Sequence, residues 1–213
     1  MNLLSLLFSE PWLFVAFIAV FVLSLSVHEA AHALMGFWLG DQTAKREGRL
    51  TLNPASHIDP LGFISLLLLG FGWGKPVPFN PYQLKYGKLG PVLVAAAGPI
   101  SNTLLALLFV LVLRVGGSHL GPTNLLTIFA VAGVVLNFSL ALFNLIPVPP
   151  LDGSKALLAI LDEYHFPAAH RWIMVQGPNL LLVVVLLDMF LPTGPLSWIS
   201  STSQWLAQML ISL

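Results

Sequence analysis

His28-Glu29-Ala30-Ala31-His32 lies inside an apolar run from about Pro11 to Leu39. Histidines at i and i+4 share one helical face, a turn apart, and can grip a single zinc ion. A glutamate beside the first histidine can serve as general base toward a water activated by that ion. In a water-soluble helix this pattern implies ordinary metalloprotease chemistry. In hydrocarbon it implies hydrolysis within a bilayer. Ionisable groups at such depth are costly and are functional by default.

A catalytic zinc takes three protein ligands and keeps one position open. Asp152 is the best candidate for the third. It ends the run Asn144-Leu145-Ile146-Pro147-Val148-Pro149-Pro150-Leu151-Asp152-Gly153. Three prolines forbid regular helix there, and Gly153 permits a sharp turn beside the carboxylate. An interfacial carboxylate capping a helix from Ser154 is the plainer reading of Asp152 alone. The paired histidines favour the ligand.

These residues must be held by membrane elements. Of 213 residues, 57% are hydrophobic and 8% charged, where a soluble domain has about 25%. The chain has no cysteine, so any metal must be held by nitrogen and oxygen. Net charge is zero with no basic stripe, which excludes nucleic acid as a natural partner. Four stretches are long enough to cross about 30 Å of hydrocarbon: roughly 11–39, 89–113, 123–146 and 171–191. Gly98-Pro99 is expected to loosen the second. The tail 195–213 reads as an interfacial or fifth, weaker segment.

Between the first two spans, Ala44–Asn53 alternates in character and reads as a short strand or hairpin. Leu61–Phe71 is too short to span and reads as a re-entrant or interfacial element. Gly72–Tyr82, rich in Gly and Pro, reads as extended backbone. The expected fold is therefore an all-α polytopic membrane protein with a hairpin or re-entrant insert, a single domain over 1–213 with its core at about 11–191. The first ten residues lack a basic region and a cleavage site, so 11–39 reads as a retained helix.

Charge placement sets the expected orientation. With the first span ending in the cytoplasm, Lys45, Arg46, Arg49, Lys75, Lys85, Lys88, Lys155 and Arg171 lie inside, and only Arg114 lies outside. The N-terminus is then outside, and His28 and His32 occupy the cytoplasmic half of the bilayer.

The chain resembles the site-2 proteases, intramembrane zinc metalloproteases of the M50 type. The resemblance rests on His28-Glu29-Ala30-Ala31-His32 and on Asn144 to Gly153. It extends to Gly48-Arg49-Leu50-Thr51-Leu52-Asn53-Pro54, His57-Ile58-Asp59-Pro60-Leu61-Gly62, Lys75-Pro76-Val77-Pro78 and Ala97-Gly98-Pro99-Ile100-Ser101-Asn102. It is to the short form, without PDZ or CBS domains. It implies one zinc held by His28, His32 and Asp152, a Glu29 base, and transmembrane segments of other proteins as substrates. It also implies that Asn144 is a hydrogen-bond donor to the oxyanion or substrate backbone. The reading outside proteolysis is a metal-binding membrane protein or transporter, in which Glu29 would have no task.

Other polar residues carry plainer readings. His57 and Asp59 are favoured as structural, with orientation of a ligand histidine as the alternative. Asn102 and Asn137, within spans, suit interhelical hydrogen bonds. Asp188 faces the interface or a neighbouring helix. His119, His165 and His170 read as surface residues. Substrate identity and oligomeric state are not legible in the residues.

Overall fold

The computed structural model describes residues 3–116, 121, 123–161 and 163–212. His119 lies outside the described residues. The elements are helices α1 (Leu3–Ser9), α2 (Pro11–Trp38), α3 (Thr43–Arg46), α4 (Pro60–Leu69), α5 (Leu89–Gly116), α6 (Leu125–Asn144), α7 (Gly153–Ile160), α8 (Pro167–Phe190) and α9 (Ser197–Ser212), with single 3-10 turns at Pro54–Ser56 and Pro81–Gln83. Helices α2, α5, α6 and α8 are long and apolar enough to cross a membrane. They match the four expected spans to within a few residues, and the protein is a multi-pass membrane protein.

Local chemistry sets the helix ends. Pro11, Pro60 and Pro167 occupy first-turn positions, where the missing N–H costs nothing. Asp59 caps α4 by accepting from Gly62 N at 2.8 Å, and Asn124 caps α6 by accepting from Leu126 N at 2.9 Å. Pro147 prevents α6 from continuing. Pro99 does not break α5, which runs unbroken from Leu89 to Gly116. Proline costs a helix one ladder bond, and neighbouring helices make this tolerable in a membrane.

The core is a three-helix packing of α2, α5 and α6, with α9 laid against α5 and α6. Ala106, Phe109, Val110 and Leu113 meet Ala130, Val134, Phe138 and Ala207. Small residues let the helices approach: a Cβ at Gly133 would sit 2.5 Å from the Phe109 ring. The tail is thus a packed helix. Ser203 Oγ meets Ser139 Oγ at 2.9 Å, and Arg114 donates to the Leu210 carbonyl near the C-terminal end of α9, at 2.6 and 2.9 Å. That placement satisfies the end of a helix whose carbonyl dipoles favour a cation.

The insert between α2 and α5 differs from expectation in one respect. Among the described residues there is no strand, and Ala44–Asn53 is not a hairpin. It forms the end of α3, then turns around Gly48 at φ +67°. Arg49 reaches the Lys75 and Pro76 carbonyls, and Thr51 and Asn53 accept from nearby backbone N–H groups within the loop. Leu61–Phe71 is largely the short helix α4, packed through Leu66 against Leu3, Phe21 and Leu25. Gly72–Phe79 is extended as expected, tied by one antiparallel bridge between Ile58 and Gly74.

Candidate active site

Helix α2 presents His28 and His32 one turn apart, both buried, toward α5. The chain leaving α6 turns back, and Gly153 lies so close to the Leu145 and Ile146 carbonyls that no Cβ fits. This turn carries Asp152 to the two histidines. Asp152 Oδ2 lies 3.2 Å from His28 Nε2 and 3.4 Å from His32 Nε2, and the two Nε2 atoms are 3.0 Å apart. Asp152 stands at the start of α7 but makes no capping hydrogen bond. The capping reading therefore fails, and its side chain belongs to the cluster.

The far side of each ring fixes its chemistry. His28 Nδ1 meets Asn102 Oδ1 at 2.5 Å, and His32 Nδ1 meets the Val94 carbonyl at 2.8 Å. Both partners are acceptors, because Asn102 Nδ2 already donates to Ser24 O at 3.2 Å and Asn137 Oδ1 at 2.8 Å. Asn137 in turn donates to Ser24 Oγ and the Gly133 carbonyl. Each histidine is thus protonated on Nδ1, and its Nε2 lone pair faces the cluster. Asn102 and Asn137 do join helices, as their positions suggested. Asn102 also orients His28, a role its sequence position did not reveal. An amide fully buried inside a span was the available signal.

Two lone pairs and a carboxylate facing one another at this range suit a shared cation. Asp152 Oδ2 is buried with no hydrogen-bond partner. Ligand bonds of about 2.0–2.1 Å at tetrahedral angles would space three donors by about 3.3 Å. The observed separations of 3.0 to 3.4 Å fit that spacing. Gly98 keeps the space open: a Cβ there would lie 2.5 Å from His32 Nε2 and 2.6 Å from His28 Nε2. The residues present therefore fit a metal ion. Asp152 adds the oxygen donor that two imidazole nitrogens alone would lack.

Glu29, also buried, does not join the cluster. Its Oε2 accepts a hydrogen bond from Val77 N at 3.1 Å. The extended segment Gly74–Phe79 therefore runs past the site, and the loop beneath anchors it. His57 O accepts from Lys75 N at 2.8 Å, and Asp41 Oδ2 accepts from Asn80 N at 2.7 Å. Burial disfavours the Asp41 charge, but hydrogen bonds from Thr43 and Asn80 prevail and hold its carboxyl below the usual range. His57 is structural: it is fully buried and its Nε2 bonds the Thr51 carbonyl at 2.8 Å, away from the ligand histidines. Asn144 closes α6, with Nδ2 donating to Leu140 O at 3.0 Å. His170 bonds the Leu161 carbonyl, and Asp188 accepts from Leu196 N.

Fold and site together define a multi-pass membrane protein with a buried two-histidine, one-carboxylate metal cluster and a glutamate poised beside it. The peptidase family M50 profile matches residues 118–185, a stretch that carries Asp152 but not His28 or His32. YwhC of Bacillus subtilis (strain 168), provisionally named a zinc metalloprotease, is 40% identical over 182 residues, covering 81% of this chain and 79% of that protein. Two proteins called Rip2, named in the same way, are 30% identical over 184 residues in Mycolicibacterium smegmatis and 28% over 200 residues in Mycobacterium tuberculosis (strain H37Rv). They cover 82% and 91% of this chain, and 67% and 73% of their own lengths are matched. The chain belongs to peptidase family M50, and it is a metalloprotease. No solved structure matches it.

Proposed function

We propose that this protein hydrolyses peptide bonds of transmembrane segments inside the bilayer, using one zinc ion held by His28, His32 and Asp152. The observation that carries this reading is the convergence of those three donors at a buried point between apolar helices, beside a carboxylate that is not itself a ligand. When bound, zinc supplies Lewis acidity toward water and the scissile carbonyl. The protein does the rest. Glu29 takes the proton from the attacking water through the carboxylate oxygen not bonded to Val77, and returns it to the leaving nitrogen. Asn102 and the Val94 carbonyl hold the histidines in the tautomer that presents Nε2. Asn144 keeps one amide hydrogen beyond its bond to Leu140, and donates it to the oxyanion.

A helical substrate hides its carbonyls in its own ladder and must unwind before attack. An unwound segment docks beside the extended backbone of 72–82, in the manner of an added strand, away from Lys75–Val77, whose peptide groups are already bonded to His57, Arg49 and Glu29. The charge distribution supports an N-terminus outside and a site in the cytoplasmic half of the cell membrane. All of 1–213 acts as one domain. The test is cleavage of a generic transmembrane reporter in liposomes by wild type, Glu29→Gln and chelator-treated protein. Cleavage by wild type alone supports the proposal. Full activity of Glu29→Gln with zinc retained sinks it.

A further inference from the structure

Arg49 is a buried cation of the insert, and the reaction does not explain its burial. It is 5% exposed, and among the described residues no carboxylate pairs with it directly. A guanidinium taken out of water without a counter-charge is costly, so its position needs compensation. Its two terminal nitrogens donate to backbone, Nη2 to the Lys75 carbonyl at 2.5 Å and Nη1 to the Pro76 carbonyl at 3.1 Å, while Nε is buried with no hydrogen-bond partner. The Pro76 carbonyl belongs to the same peptide group as the Val77 N–H, and that N–H donates to Glu29. In a trans peptide the two groups point in opposite directions. The cation therefore grips one edge of the Pro76–Val77 peptide while Glu29 grips the other.

The local sequence makes this bridge unambiguous. Pro76 and Pro78 have no N–H, so Val77 supplies the only backbone donor between Lys75 and Phe79. A hydrogen bond from a cation to a peptide carbonyl polarises the amide and strengthens its N–H as a donor. The Lys75 and Asn80 anchors hold the segment on both sides. We propose that Arg49 is a positioning residue for Glu29, and its counter-charge, acting through the Pro76–Val77 peptide. This rests on the reading of Glu29 as the base, but the bridge itself can be tested without turnover.

The readout is amide exchange at Val77. It is followed as the Val77 amide resonance by NMR, in full-length zinc-loaded protein in detergent. Arg49→Met and Glu29→Gln are each expected to speed exchange about tenfold, and the double variant no more than the faster single, because both open the same bridge. Arg49→Lys, which keeps the charge but not the fork, falls between and serves if Arg49→Met does not fold. Unchanged exchange in either single variant, or effects that multiply in the double, would overturn the proposal. In the reporter assay, Arg49→Met should lower kcat about tenfold with KM within twofold and zinc content intact. A rise in KM alone would instead make Arg49 a substrate-docking residue and reject this role. Were Glu29→Gln to cleave normally, the base assignment would fail whatever Val77 shows, so the two failures are distinguishable.

Discussion

Two imidazole nitrogens with lone pairs facing each other at 3.0 Å repel unless a positive charge lies between them. The Nδ1 partners of His28 and His32 impose that arrangement, which makes metal affinity a property of residues that never touch the metal. Asn102→Leu should weaken zinc binding about 10- to 100-fold, measured by competition with a chelator. Asn102→Asp should not rescue it fully, although it keeps an acceptor for His28. Its second oxygen would face the Ser24 carbonyl and Asn137 Oδ1, both acceptors. Glu29→Gln should keep zinc at one per chain and lose about 10²–10⁴-fold in turnover, read by metal analysis beside the cleavage assay. The grouping of His28, His32 and Asp152 was legible because the spacing of the histidines on one helix, and the proline run before Asp152, are local patterns. Asn102 was legible only as a buried amide, because its partner His28 lies on another helix, 74 residues away.

At the scale of elements, close approach is set by what is absent. Gly98→Ala would raise the intrinsic helix propensity of α5 by about 1 kcal/mol. The added methyl would nonetheless fall between the two Nε2 atoms. The expected variant is folded, by circular dichroism and gel filtration, yet deficient in both zinc and cleavage. The insert makes a separate prediction about pH. Asp41 has a folded-state pKa below its unfolded value, so its contribution to stability is complete above about pH 4 to 5 and declines as pH falls through the folded value. Asp41→Asn should lower the melting temperature near neutrality and flatten its acid limb. An unchanged acid limb would assign the loss to other carboxylates. Span positions were legible from hydropathy, since length and apolarity alone decide whether a helix can cross. The hairpin was not. Its alternation sets Leu50 and Leu52 among Arg49, Thr51 and Asn53, yet Leu52 is exposed and Arg49 buried, the reverse of what a half-buried strand would show.

For the molecule as a whole, the surface is the reverse of a soluble protein's. Trp12, Val15, Leu104, Leu111, Leu182 and Phe190 stand exposed around the spans, where lipid solvates them. With the proposed orientation, an N-terminal epitope tag should be protease-accessible from outside intact cells, and a tag beside Lys85 only after lysis. The two parts of the cluster are also 120 residues apart in the chain, with α4, α5 and α6 between them. A bound ion therefore closes a very long loop as a crosslink would, and its binding energy is shared with the tertiary structure. Chelation should lower the melting temperature of wild type and of Glu29→Gln equally, since both keep the same three donors. The same separation acts as a safeguard in time. A ribosome that has delivered the first histidines has made no hydrolase, and hydrolytic competence arrives only when the third helix of the core is in place and Asp152 has followed it in.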